Sequence, residues 1–222
     1  MTFEINENPD LEIIRVFIVR HGQTDHNMQK ILQGHLDTDI NETGKEQAEI
    51  VGKYLSKIPF DYFVSSDLSR CQQTLIPILS HQQTKTVKYT PNLRERDMGK
   101  VEGMYLKDAL EKYGPGFRNL GEKEDALCKR VEKEWNEIIE QNYHNVLICT
   151  HGGVITRFIN YLHKDLGYKL NNKLTPDNLK VPFNTSVSVI DVEKNTKRGV
   201  IQAFGNTLHL GGNFEVKDQL LR

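Results

Sequence analysis

The stretch IIRVFIVRHGQT, residues 13–24, determines the fold class. Residues 13–19 are apolar except for Arg15, which is typical of a strand buried on both faces of a sheet. Arg20, His21 and Gly22 follow, and a glycine lets the backbone turn sharply and a ligand approach closely. In sheets of parallel strands, ligands bind where a strand ends and the next loop begins. The stretch therefore predicts a buried strand with polar chemistry at its carboxyl end.

Strand and helix patterns alternate along the rest of the chain. Short apolar or alternating runs predict further strands at residues 62–65, 86–89, 145–150, 186–192 and 199–204. Helices are predicted at residues 41–57, 68–80, 125–141 and 153–163. This alternation is typical of an α/β fold. We predict a three-layer sandwich, in which a mostly parallel central sheet of about six strands is flanked by helices.

Length and composition favour a single domain over residues 1–222. The 7 prolines and 16 glycines are scattered, and no low-complexity tract resembles a linker. Hydrophobic residues make up 37% of the chain, so a substantial core can be buried.

Charge and cysteine content exclude several classes of protein. The formal net charge is -1, whereas a nucleic-acid-binding domain usually carries a basic excess. The 3 cysteines are Cys71, Cys128 and Cys149; their odd number and wide spacing suggest neither a disulfide framework nor a zinc site. The polar, acidic N-terminal segment lacks the features of a secretory signal, and no apolar stretch approaches the roughly 20 residues of a membrane span. We therefore expect no nucleic-acid or membrane partner and a location in the cytoplasm, with the nucleus as a second compartment. No pattern assigns an oligomeric state.

Three further segments carry polar groups suited to chemistry. A second buried strand ends in THGG, residues 150–153, which repeats the His-Gly pair of the first strand. The segment SSDLSR, residues 65–70, places Arg70 early in a helix, where its guanidinium could bind phosphate oxygens bidentately with Arg20. The segment LRERDMGKVEG, residues 93–103, supplies carboxylates that could act as a general acid.

Taken in order, these segments resemble the blocks of the histidine phosphatase superfamily, in its phosphoglycerate-mutase-like branch. The Arg20-His21-Gly22 motif, with Thr24 and Asn27 after it, is similar to the family signature. Further similar blocks are Gln33-Gly34 with residues 41–48, then residues 65–74, 93–103, 150–153, 184–187 and 206–210. The resemblance spans roughly residues 13–210, in the family's order, and a lone RHG would be much weaker evidence.

The resemblance implies a chemical role for each matching residue. His21 would attack phosphorus and become phosphorylated, with its other ring nitrogen donating to a fixed acceptor. Glu95 would protonate the leaving oxygen and then activate water. Arg20, Arg70 and His151 would neutralise the equatorial phosphate oxygens. The implied phosphate contacts are Thr24, Asn27, Gln33, Gly34 and the Gly152 backbone. Neither a metal nor any other cofactor is implied, because arginines and histidines supply the positive charge.

The choice of Glu95 as the acid depends on the resemblance. Asp97 and Glu102 lie close by, and spacing alone does not separate the three carboxylates. Glu95 occupies the acid's place in the family's L-x-E pattern. Val101 stands where the family often has an aromatic residue, which would reshape the pocket wall.

The segment around residues 103–124 resembles a short cap insertion. In the family's mutases this region is longer and carries extra arginines and aromatic residues. Its cations here, Lys107, Lys112 and Arg118, could contact a second anionic group, but solvent-exposed side chains are the simpler interpretation. The short cap favours a phosphatase over a mutase.

We therefore predict a metal-independent phosphomonoester hydrolase that acts through a phosphohistidine on small phosphorylated metabolites, with broad specificity. The alternatives are a phosphoglycerate mutase or a fructose-2,6-bisphosphatase-like enzyme, a non-catalytic binding protein of the same fold, and a metal-dependent hydrolase with histidine ligands. His26, His35, His81, His144 and His163 are expected at the surface or in loops, whereas His209 suits packing and a site role equally. The C-terminal segment 211–222 carries no interpretable pattern.

Overall fold

The strand predicted from the opening motif lies at the centre of the sheet. The computed structural model describes residues 4–8 and 10–216. Its strands are β1 (Ile13–Arg20), β2 (Tyr62–Ser66), β3 (Val87–Thr90), β4 (Asn145–Thr150), β5 (Lys169–Leu170), β6 (Val187–Glu193) and β7 (Gly199–Asn206). Their order across the sheet is β3-β2-β4-β1-β6-β7-β5.

The sheet is mostly parallel, as predicted. β1 pairs in parallel with β4, β4 with β2 and β2 with β3, whereas β6 is antiparallel to both β1 and β7. The sheet was predicted to have about six strands, and the described residues form seven. The missed strand, β5, has only 2 residues paired with β7, too few to produce a periodic pattern.

Helices cover both faces of the sheet. They are α1 (Asp25–Gln29), α2 (Glu42–Leu55), α3 (Ser69–Ser80), α4 (Leu106–Tyr113), α5 (Glu124–Ile139) and α6 (Gly152–Lys164). The four predicted helices correspond to α2, α3, α5 and α6. None of the helices in the described part of the chain is long and apolar enough to cross a membrane.

Two hydrophobic cores account for the three layers. Val16 and Ile18 of β1 pack in the core that contains Trp135 of α5 and Phe158 of α6. Phe17 and Val19, the alternate residues of the same strand, pack with side chains of α2 and α3 on the opposite face. Successive side chains of a strand point to opposite faces, so a strand buried on both sides must be apolar throughout.

The segment predicted as a cap contains helix α4 and a short 3-10 turn, Phe117–Leu120. Leu106, Ala109 and Phe117 form a third, smaller core with Leu32 and Met98. Leu32 and Met98 also line the pocket described below. The segment is therefore packed against one wall of that pocket.

Candidate active site

The strand register brings the two His-Gly motifs together. Arg20 of β1 pairs with Thr150 of β4, so the next residues, His21 and His151, lie side by side. Their ring centroids are 5.2 Å apart. Arg70 follows the end of β2, which is the other parallel neighbour of β4, and it reaches the same place from the first turn of α3. Three strand ends therefore supply one cluster of buried polar side chains.

Hydrogen bonding fixes the tautomer of His21. The ring is 3% exposed, and Nδ1 lies 2.7 Å from the carbonyl oxygen of Gly22. A carbonyl can only accept, so Nδ1 carries the proton and Nε2 carries a lone pair. Gly22 must be a glycine, because a Cβ there would lie 2.7 Å from the carbonyl oxygen of Gly44. This is the protonation pattern required of a nucleophilic imidazole.

Arg70 is held rigidly by acceptors that belong to the protein. Its guanidinium donates to the carbonyl oxygens of Leu36 at 2.7 Å and Gly34 at 2.8 Å, and through Nε to His151 Nδ1 at 3.1 Å. Burial lowers the pKa of Arg70 from its ordinary value, but a guanidinium remains charged at neutral pH. A fixed positive charge therefore lines the pocket next to His21.

His151 is held by two hydrogen bonds that fix its tautomer. Its Nδ1 accepts from Arg70, so Nε2 carries the proton and donates to Ser66 Oγ at 2.8 Å. Complete burial lowers the pKa of His151 well below its usual range, and the positive charge of Arg70 lowers it further. In this structure the ring is therefore neutral and supports Arg70, and the contact of His151 with a phosphate stays a prediction.

Arg20 and Asn27 form a second anchored pair. The fully buried Arg20 donates to the carbonyl oxygen of Pro182 at 2.8 Å and approaches Asn27 Oδ1 at 3.5 Å. Asn27 Oδ1 also accepts from Thr24 N at 3.2 Å and from Asn184 Nδ2 at 3.1 Å. The oxygen is thus occupied inside the protein, and the amide nitrogen is the group that can donate to a ligand.

Thr24 orients two residues that line the pocket. Its side chain is fully buried, accepts from Asn27 N at 3.1 Å and donates to Gln33 Oε1 at 3.1 Å. Gln33 Oε1 also accepts from Thr38 at 2.7 Å, which leaves the Gln33 amide nitrogen for the pocket that it lines. The Thr24 hydroxyl thus orients Asn27 and Gln33, and its direct contact with a phosphate stays a prediction.

Glu95 lines the same pocket as His21 and contacts the first turn of helix α6. Its Oε1 accepts from the Arg96 amide and its Oε2 from the Gly153 amide, both at 2.9 Å. Its carbonyl oxygen accepts from His35 Nε2 at 2.8 Å and from Arg130 at 2.9 Å. Side chain and backbone are both fixed, so the carboxylate is held where it lines the pocket.

The structure also distinguishes the three neighbouring carboxylates. Glu102 Oε1 accepts from the amides of His35 at 2.8 Å and Met98 at 3.0 Å. Asp97 Oδ1 accepts from the Gly99 amide at 2.6 Å. Both side chains therefore accept hydrogen bonds from the backbone of nearby loops, whereas Glu95 is the one of the three that lines the pocket. The role of Glu95 as the acid stays a prediction.

The pocket contains predicted and unpredicted residues. The predicted ones are His21, Asn27, Gln33, Gly34, Arg70 and Glu95. The other predicted site residues, Arg20, Thr24, His151 and Gly152, are buried. Gly153 is among the residues that line the pocket and Gly152 precedes it, so the contact of the Gly152 backbone with phosphate stays a prediction.

Six further lining side chains were not predicted as site residues: His26, Ile31, Leu32, Arg96, Met98 and Arg157. His26 had been expected at the surface or in a loop. Arg157 could have been found, because residues i and i+4 of a helix share one face and it lies four residues after Gly153. His209, left open by the sequence, stacks on Tyr54 with ring centroids 5.1 Å apart, outside the pocket lining.

The described residues contain no group of three or more His, Cys, Asp or Glu side chains arranged to hold a metal ion. What they do contain is an imidazole whose Nε2 carries the lone pair, the buried guanidinium of Arg70 and the Glu95 carboxylate around one pocket, with the buried Arg20 directly before His21 in the chain. Such a set is suited to transfer of a phosphoryl group.

Comparison with known proteins agrees with this class of site. The model of the histidine phosphatase superfamily (branch 1) matches residues 16–206, and the chain belongs to that family. It is 44% identical to the broad-specificity phosphatase YOR283W of Saccharomyces cerevisiae, over 97% of this chain and 96% of the relative.

Two other similarities extend the comparison. The metal-independent phosphoserine phosphatase of Arabidopsis thaliana is 32% identical over 65% of this chain and 66% of its own length. The crystal structure of a phosphoglycerate mutase from Bacillus anthracis superposes with a TM-score of 0.76, covering 90% of this chain and 96% of that one. At 23% identity, the mutase shows that the fold is shared.

Proposed function

We propose that this protein hydrolyses phosphomonoesters of small metabolites through a phosphohistidine at His21, without a metal ion and with broad specificity. The observation that carries the proposal is the hydrogen bond from His21 Nδ1 to the Gly22 carbonyl oxygen, at 2.7 Å. It fixes the lone pair on Nε2 of a residue that shares a pocket with Arg70 and Glu95.

In the first chemical step, His21 Nε2 forms a bond to phosphorus as the bond from phosphorus to the leaving oxygen breaks. Glu95, in its protonated form, gives a proton to that oxygen and becomes a carboxylate. In the second step, the carboxylate takes a proton from water, the water oxygen bonds to phosphorus, and His21 leaves. Inorganic phosphate is released and Glu95 regains its proton.

Fixed positive charge stabilises both transition states. Arg70 and Arg20 are already held by protein carbonyl oxygens, so little reorganisation is needed when charge develops on the phosphoryl oxygens. The amide nitrogens of Asn27 and Gln33 add neutral donors. In such a site the arginines would replace the cation that many phosphatases require.

The breadth of specificity is supported by the organisation of the chain. We infer a single domain with a short cap at residues 103–124. The cap contributes one small helix, α4, and that helix is absent from the pocket lining among the described residues. The relatives named as a broad-specificity phosphatase and a metal-independent phosphatase support the same proposal.

The proposal is tested by phosphate release from p-nitrophenyl phosphate and from glycerol 3-phosphate in excess chelator. The native protein should release phosphate, and the His21→Ala variant should be slower by at least about 10³-fold. The exposed His81 provides a matched control, because His81→Ala should keep the native rate. Release that requires a divalent cation, or that survives His21→Ala, would contradict the proposal.

A further inference from the structure

His35 lies in the chain between the two residues whose carbonyl oxygens hold Arg70. Gly34 and Leu36 accept from the Arg70 guanidinium at 2.8 Å and 2.7 Å. His35 is therefore part of the loop that fixes the buried guanidinium of the pocket. Its own side chain is partly buried and is absent from the pocket lining among the described residues.

The ring of His35 contacts a second part of the site. Its Nε2 lies 2.8 Å from the carbonyl oxygen of Glu95. A carbonyl oxygen can only accept, so Nε2 carries a proton and is the donor of this hydrogen bond. One imidazole thereby joins the loop that holds Arg70 to the backbone of the candidate acid.

The main chain of His35 is fixed separately from its ring. Its amide donates to Glu102 Oε1 at 2.8 Å, and the same oxygen accepts from the Met98 amide at 3.0 Å. The Leu36 amide donates to the carbonyl oxygen of Gln33 at 2.9 Å, which closes a turn around His35. Because the main chain is held, the ring forms a fixed connection between the two segments.

A second donor shares the Glu95 carbonyl oxygen, so His35 supplies part of its support. Arg130 donates to the same oxygen at 2.9 Å and is itself paired with Glu122 at 2.7 Å. A carbonyl oxygen has two lone pairs and can accept both hydrogen bonds. Removal of the His35 ring would therefore leave Glu95 attached to helix α5 through Arg130 but no longer to the Arg70 loop through this bond.

We propose that His35 is a positioning residue that sets the separation between Arg70, which would bind the transferred phosphoryl group, and Glu95, which would protonate the leaving oxygen. The inference rests on the proposed function and adds to it a residue that acts through two others. A displacement of about 1 Å at a catalytic group can slow a reaction by about 10²-fold, so a hydrogen bond outside the pocket can control catalysis.

The test compares two variants of His35 on two esters. In His35→Ala, kcat/KM should fall about 10²-fold for glycerol 3-phosphate, whose leaving group needs a proton, and about tenfold for p-nitrophenyl phosphate, whose leaving group does not. The difference between the two losses reports the displaced acid, and the loss common to both reports Arg70. His35→Gln should recover most of both, because its amide nitrogen can donate to the same carbonyl oxygen.

His163→Ala is the matched control. His163 is also partly buried, and its ring lies 2.8 Å from the carbonyl oxygen of Tyr168, but it is not among the residues that line the pocket. This variant should keep the native kcat/KM for both esters. If His35 had only a structural role, His35→Ala would lower the melting temperature and reduce kcat/KM for both esters equally, which would overturn the inference.

Calorimetric titration with inorganic phosphate tests the connection to Arg70 without catalysis. His35→Ala should bind phosphate at least about threefold more weakly than the native protein, and His163→Ala should bind it with native affinity. Unchanged phosphate affinity in His35→Ala would overturn the inference, while hydrolysis of both esters by the native protein would still uphold the proposed function. Failure of the native protein to hydrolyse either ester would overturn both.

Discussion

The amide of Gly153 donates to Glu95 Oε2 at 2.9 Å. The Glu95 carboxylate occupies the space that the Cβ of any other residue at position 153 would enter. A Cβ at position 153 would lie 3.0 Å from Glu95 Cδ and closer still to Oε1. Glu95 and the first turn of α6 therefore share one space, and the second glycine of the THGG motif sets the position of the candidate acid.

Gly153→Ala is expected to impair catalysis without unfolding the protein. The methyl group must push the Glu95 carboxylate away, while alanine is itself favourable in a helix. We expect kcat for glycerol 3-phosphate to fall about 10²-fold, with a melting temperature close to native. Gly116→Ala is the control, because the nearest atom to a Cβ there is 4.0 Å away. Native activity in Gly153→Ala would show that the position of Glu95 is unimportant.

Glu95→Gln should have an effect that depends on the leaving group. Glutamine keeps the size of the side chain but cannot transfer a proton. Alkoxide leaving groups need that proton, so kcat/KM for glycerol 3-phosphate should fall about 10³-fold. The p-nitrophenolate ion leaves readily without protonation, so kcat/KM for its ester should fall less than about tenfold.

Glu102→Gln distinguishes acid catalysis from loop support. Its carboxylate accepts from two backbone amides and does not line the pocket, so its replacement should affect both substrates equally. A leaving-group dependence in Glu102→Gln, or its absence in Glu95→Gln, would move the acid role away from Glu95.

Arg70→Lys should greatly weaken phosphate binding although it conserves the charge. A lysine cannot donate at once to Gly34, Leu36 and His151 and still contact a phosphate. We expect kcat/KM for p-nitrophenyl phosphate to fall by about 10² or more. Arg94→Lys is the matched control, because Arg94 forms a partly exposed ion pair with Asp67 at 2.6 Å. Similar small losses in both variants would contradict the role of Arg70.

Acid should destabilise the protein partly through two buried histidines. Burial lowers the pKa of His209 to about 4 and the pKa of His151 well below its usual range. Below pH 6.5 or so the unfolded chain binds protons at these residues and the folded protein does not, so the free energy of unfolding falls. Each fully titrating histidine contributes about 1.4 kcal/mol per pH unit.

His209→Phe isolates one of these contributions, because phenylalanine keeps the stacking on Tyr54 and cannot bind a proton. Urea unfolding between pH 6 and pH 4.5 or so should show a shallower loss of stability than in the native protein, by up to the same ~1.4 kcal/mol per unit. The exposed-site variant His81→Asn should follow the native slope. If the free energy of unfolding depended on pH equally in His209→Phe and in the native protein, the lowered pKa of His209 would be contradicted.

The central architecture could be predicted from the sequence because it depends on local patterns. The doubly buried strand β1 needs an apolar run, and the polar residues that end it stand out against that run. The same reasoning places Arg20, His21 and His151 at strand ends, and the pairing of β1 with β4 shows that these ends are adjacent. By contrast, β5 is too short to have a pattern, and α4 lies in a segment that was interpreted only as a cap.

The remaining features of the site depend on tertiary contacts. The neutral state of His151 follows from burial and from its bonds to Arg70 and Ser66, which no single segment reveals. Arg96 stands in a run of charged residues that resembles a solvated loop, and only the fold directs it into the pocket. The charge of a pocket is thus harder to predict than the positions of its strands.

The most direct test of the central claim is pre-steady-state turnover of ³²P-labelled p-nitrophenyl phosphate by the Glu95→Gln variant. Loss of the general base should slow hydrolysis of the intermediate more than its formation. We predict a burst of p-nitrophenol approaching one equivalent per protein, with label that is stable in alkali, labile in acid and located on His21. Steady release without a burst, or label on a residue other than His21, would contradict the phosphohistidine mechanism.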